Sequence, residues 1–128
     1  NPDGLGPTRA EIADLLADVV KIPKHSFSCC GEPQFVEALA ALGRTQVLLA
    51  GIETHICVYQ TAVELVEAGC EVEIVADAVS SRTAANRAIG LEKARDAGAT
   101  VTCVETALFE MLRTAEAPAF KAILNAVK

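Results

Sequence analysis

Apolar positions along the chain change period several times, and each change marks an element. Val47-Leu48-Leu49-Ala50 is an uninterrupted apolar run, which predicts a strand buried on both faces. Gly51 breaks it, and from Val58 the apolar residues recur at helical spacing (Val58, Ala62, Leu65, Val66) up to a stop at Gly69. Ahead of this unit, Phe35, Val36, Leu39 and Leu42 form one helix face closed by Gly43. Behind it, Val72–Ala76 has the β-branched content of a strand. Ala84, Ala88, Leu91 and Ala94 line a helix closed by Gly98, and Thr100–Val104 predicts a last short strand. Leu108, Met111 and Leu112, then Phe120, Ile123, Leu124 and Val127, give two more helical stripes. Toward the start, Asn1–Thr8 reads as turn, Glu11–Leu16 as a short helix and Asp18–Lys24 as a brief strand or extended stretch stopped by Pro23; Ser26–Gly31 reads as loop. Strands alternating with helices require right-handed crossovers. They predict an α/β fold of three layers, with a parallel sheet covered on both faces.

Composition narrows the class. The 128 residues make one domain with enough apolar content for a core. A net charge of −6 without a basic cluster argues against nucleic acid or an anionic membrane surface as partner. No apolar run is long enough to span a bilayer, and the chain does not start with a signal-peptide pattern. Five cysteines, an odd number without metal-finger spacing, argue against a secreted disulfide framework, so a reducing cytoplasm is the expected compartment.

In parallel sheets ligands gather at the carboxyl ends of the strands. Three polar clusters fall there: Lys24-His25-Ser26, Glu53-Thr54-His55, and Asp77 with Ser80-Ser81-Arg82. Thr54 has the chemistry of an N-cap for the following helix. That would put Cys57 in the first turn, where free N–H groups and the helix dipole favour a thiolate. Spacing alone does not separate this nucleophile reading of Cys57 from a small buried core cysteine. Lys24, taken singly, is an ordinary surface lysine. His25 and His55 lack a carboxylate at ligand spacing, so no metal is expected; His55 either lines a pocket or faces solvent. Cys29 and Cys30 read as loop packing, Cys70 and Cys103 as core, and Asp77 and Arg82 as fixing their loop by turn bonds and helix capping.

The run Gly51-Ile52-Glu53-Thr54-His55-Ile56-Cys57-Val58, followed by Thr61-Ala62 and by Val75-Ala76-Asp77-Ala78, resembles the isochorismatase-like cysteine hydrolases. That superfamily includes isochorismatase, nicotinamidase and N-carbamoylsarcosine amidohydrolase. Gly4-Leu5-Gly6-Pro7-Thr8, Lys24-x-x-Phe27-Ser28 and Asp77-Ala78-x-Ser80-Ser81-Arg82 are similar to the isochorismatase domain-containing subgroup. The resemblance implies an Asp–Lys–Cys triad with Cys57 as nucleophile and Lys24 as the cation beside it. It also implies an oxyanion hole from the backbone N–H groups of Glu53 and Cys57, a non-proline cis peptide between Ile52 and Glu53, and a pocket near Phe27, His55 and Ile56. No cofactor is implied, and a homo-oligomer is.

The resemblance also has a gap. The family's sheet runs in the order 3-2-1-4-5-6, and Val19–Ile22 and Val47–Ala50 would be its third and fourth strands. The first two strands, which carry the triad aspartate, match nothing in this sequence; Asp3, Asp14 and Asp18 do not fit the role. Residues 1–128 are therefore expected to form the C-terminal major part of a single hydrolase domain. Strands 1 and 2 are expected from an upstream segment or another chain, and the 128 residues alone are expected to be inactive. Two functions follow: a cysteine hydrolase of a small amide-like or isochorismate-like substrate, or a catalytically silent protein that keeps the fold for binding or scaffolding.

Overall fold

The computed structural model describes residues 1–128. The run around Val47 forms strand β1 (Gln46–Ile52), which pairs in parallel with β2 (Glu71–Ser80); β2 pairs in parallel with β3 (Thr100–Thr102). The sheet order is β1-β2-β3, so β2 is central. Helices follow the sequence pattern closely: α3 (Pro33–Leu42), α4 (Tyr59–Glu67), α5 (Ala84–Asp96), α6 (Val104–Leu112) and α7 (Phe120–Ala126), preceded by α1 (Pro2–Leu5) and α2 (Ala10–Ala13). Gly69, at φ 86°, lets the chain leave α4 and enter β2.

The core forms where α4 and α5 cover one sheet face. Val58, Ala62 and Leu65 meet Val72, Ile74, Val79, Leu91 and Ala94 there, with Val47 and Leu49 of β1 packed alongside. On the other face α6 stands off β1 and β2. An open groove of about 1260 Å³ remains between its residues Thr106, Phe109 and Glu110 and the strand residues Leu48 and Glu73. Helices thus lie on both faces of a parallel sheet, the α/β layering predicted.

Two strands depart from the pattern. β2 runs past its predicted end at Ala76 to Ser80, because a register break lets its second half rejoin β1. Leu49 pairs with Ile74, and Gly51 next pairs with Val79: two residues along β1 against five along β2. Arg87 of α5 steadies the break, its Nε donating to the Val79 carbonyl at 3.1 Å and its guanidinium also to the Ala76 carbonyl. Asp77, inside the break, accepts the N–H of Val104 at 2.9 Å and so caps α6.

The other departure is Asp18–Lys24, which forms no strand. Its strand propensity goes unused because no neighbouring backbone offers a ladder, and Val19 and Val20 remain exposed. Asn1–Thr8, expected as turn throughout, starts with the one-turn α1; the Asn1 side chain accepts the Gly4 N–H at 3.1 Å. β1 has no partner on its outer edge, and Leu48 (48 % exposed) and Ile52 (70 %) face solvent.

Candidate active site

Gly51, at φ 120°, ends the straight part of β1, and the Ile52–Glu53 peptide bond is cis. The next five residues, Thr54–Val58, wind as a π-helical turn that runs directly into α4. The wide turn is visible in its bonds: Ile56 and Val58 both donate their N–H to the Glu53 carbonyl, at 3.1 and 3.2 Å. Cys57 therefore sits at the carboxyl end of β1, half-buried, one residue before the wall formed by Val58. The Glu53 N–H has no acceptor within the chain.

Thr54 does not cap the helix by its side chain. It is fully buried, and its hydroxyl donates to the Ser80 carbonyl at 2.9 Å, tying the turn to the last residue of β2. A cap is unnecessary here because the π-helical turn supplies Glu53 O as acceptor for two N–H groups. From the other side α5 comes so near that a Cβ on Gly90 would lie 2.7 Å from the His55 N and Cα and from the Thr54 carbonyl carbon.

The outer rim of the turn is charged. Arg82 does not bond within its own loop but pairs with Glu53, its Nε 3.1 and 3.3 Å from the two carboxylate oxygens. His55 lies partly exposed beside them, its Nδ1 3.0 Å from Ser81 Oγ and 3.5 Å from Glu53 Oε2. Both neighbours meet the same ring nitrogen. These partners join the ends of β1 and β2 across 26 to 29 residues of sequence.

Lys24 lies on a loop docked to α4. Ser28 Oγ donates to Glu64 Oε2 at 2.8 Å, and the Cys29 N–H donates to Thr61 Oγ1 at 3.0 Å. Both partners lie on α4, one and two turns beyond Cys57. The Lys24 ammonium donates to the carbonyls of Ser26 and Phe27, at 2.8 and 2.7 Å, and no hydrogen bond joins it to the Cys57 sulfur. Phe27 is exposed, and Ile56 is half-buried in the turn. Burial pushes the Cys30 thiol up, partly offset by a hydrogen bond with Ser28. No group of three or more histidine, cysteine or acidic side chains gathers as a metal site. The groove of about 1260 Å³ lies at the amino ends of β1 and β2, the opposite end of the strands from Cys57. Sequence reading passed over Gly90 and Arg87, and it named Ser81 only within its polar cluster. Only Gly90 carried a signal, a glycine in the interior of an alanine-rich helix.

A model of the isochorismatase domain family matches residues 2–106. "Secreted isochorismatase effector Isc1" of Phytophthora sojae is 48% identical over 97% of this chain and 61% of its own length. "Isochorismatase domain-containing protein 1" of Danio rerio is 41% identical over 99% of this chain and 44% of its own length. Among solved structures, the MAR1 ribonuclease of Caenorhabditis elegans is 32% identical, with a TM-score of 0.81 over 97% of this chain and 64% of that one. The chain thus spans about half the length of the curated relatives it matches. No helix is long and apolar enough to cross a membrane.

Proposed function

The chain belongs to the isochorismatase family, and from that premise we propose that it supplies most of a cysteine-dependent hydrolase of a small amide-like or isochorismate-like substrate. The observation that carries this reading is the strand, tight turn and helix start that hold Cys57 at the carboxyl end of a parallel sheet, next to the unbonded Glu53 N–H. With an amide, Cys57 Sγ bonds to the carbonyl carbon as the C=O π pair moves to oxygen. The N–H groups of Glu53 and Cys57 hold that oxyanion. The C–N bond then breaks, the amine leaves with a proton, and water hydrolyses the thioester to acid and free thiol. Lys24 serves as the cation beside the thiolate.

In this proposal residues 1–128 are the C-terminal major part of one domain. The unpartnered edge of β1, with Leu48 and Ile52 exposed, takes a parallel strand from a further segment that also brings the triad carboxylate. The same reading includes a homo-oligomer. A small molecule is favoured over RNA, despite the ribonuclease among the neighbours, because a chain of net charge −6 has no basic groove to follow a phosphate backbone.

The test is Cys57→Ala in the full-length protein, assayed against a panel of small amides and an isochorismate-like vinyl ether. Hydrolysis of any member is expected to be lost in the variant. Turnover that survives the substitution refutes the reading, and a wild type inert toward the panel whose Cys57 alkylates no faster than Cys70 or Cys103 favours the silent scaffold.

A further inference from the structure

The Thr54–Val58 turn is held from two sides by groups that the chemistry of the site does not use. Beneath it, Gly90 brings the backbone of α5 against the backbone of Thr54 and His55, too near for any side chain. Gly90 has ordinary helical backbone, so conformational freedom does not explain it, and glycine weakens a helix interior. Space does explain it: all three atoms that a Cβ would strike are backbone, which cannot rotate away. Above, the buried Thr54 hydroxyl fastens the turn to Ser80 at the end of β2. Arg87, one turn before Gly90 on α5, grips the carbonyls of Val79 and Ala76, and Ala94, one turn after, is fully buried. The helix, the end of β2 and the turn thus form one rigid joint.

From this geometry we infer that Gly90 and Thr54 are positioning residues: together they set the height of the Thr54–Val58 turn over the sheet, and with it the aim of the Glu53 and Cys57 N–H groups at a reacting carbonyl. The inference rests on the hydrolase reading above and adds residues that touch neither substrate nor thiol. Its consequence is selective. Acyl transfer to Cys57 needs aimed oxyanion donors, whereas alkylation needs only the thiolate.

The experiment compares two reactions at Cys57 of the full-length protein at fixed pH: acylation, read as the p-nitrophenolate release that Cys57→Ala abolishes, and alkylation, read by peptide mass. With p-nitrophenyl acetate the thiolate attacks the ester carbonyl, the C–O bond breaks and p-nitrophenolate leaves, giving a thioester. With iodoacetamide the thiolate displaces iodide. In Gly90→Ala, acylation is expected to fall on the order of 10²-fold, the cost of one misaimed oxyanion donor, while alkylation stays near the wild-type rate. Thr54→Val, which keeps the shape and removes the hydroxyl, is expected to shift the same ratio and carries the test if Gly90→Ala does not accumulate. A ratio unchanged in the variant overturns the inference. So does a higher Tm for Gly90→Ala, the usual result of that exchange in an open helix. A wild type that alkylates at Cys57 but never acylates there instead refutes the hydrolase reading itself, and the inference falls with it.

Discussion

The stretch before Ser28 and the stretch from Thr54 to Ala107 both contain regularly spaced large apolar residues, yet only the second buries them. Every buried residue except Ser28 lies between Thr54 and Ala107. In the earlier stretch Leu5, Leu15, Val20 and Phe27 all face solvent. Hydrophobicity is not what differs. Between Thr54 and Ala107 each apolar stripe has an opposing surface within the same chain, α4 and α5 against β2; α1 and α2 are four residues each and meet none. An amphipathic pattern states what a segment needs, and the rest of the chain decides whether it is met.

Core truncation sharpens this contrast most. Leu65→Ala, at a side chain 2 % exposed, should cost about 2–5 kcal/mol in urea denaturation. Leu15→Ala, at one 85 % exposed, should stay within about 0.5 kcal/mol; equal costs would break the contrast. Arg87→Ala comes next, at about 1–3 kcal/mol, because two carbonyls at the register break lose their donor. Arg87→Lys, which cannot fork to both, should recover only part of that loss. Arg82→Ala removes an ion pair whose guanidinium is exposed and should cost about 0.2–1 kcal/mol, with the difference shrinking in high salt.

The smallest effect lies at the seam between the two regions. Cys30 packs against the core from the Lys24 loop, and its raised pKa means that the folded state holds the thiol proton more tightly than the unfolded state does. Stability from this group is thus complete below the ordinary thiol range and declines as pH rises through it. Within the ordinary thiol range, Cys30 should alkylate more slowly in the folded protein than after unfolding in urea; equal rates would place the seam in solvent.

Sequence made the interior of this fold legible wherever the signal was local. The apolar run of β1, the stripes of α4 and α5 and the glycines that close α3, α4 and α5 are read within a few residues, and the structure has them where the pattern puts them, although β1, expected to be buried on both faces, leaves Leu48 exposed. Val19–Ile22 failed for the complementary reason: β propensity is expressed only beside a ladder, and no backbone neighbour lies alongside. The end of β2 was hidden because Ala76-Asp77-Ala78 breaks the alternation, and the strand resumes only through β1 and Arg87. At the candidate site, the strand–turn–helix order pointed to Cys57. The contacts of Glu53 with Arg82 and of His55 with Ser81 have no period to reveal them, since each joins residues far apart in the chain.

The register break in β2 also obeys a rule of parity. Side chains alternate across a strand, so five steps from Ile74 should carry Val79 to the opposite face. Both nevertheless belong to the same core cluster, because the break absorbs three residues more on β2 than on β1, and an odd excess reverses the alternation. Removing one of residues 76 to 78 would leave an even excess: Val79 would turn outward, and the Ser80 carbonyl that receives Thr54 would point away from it. In this part of the chain, whether a change in length is odd or even matters more than which residue is lost.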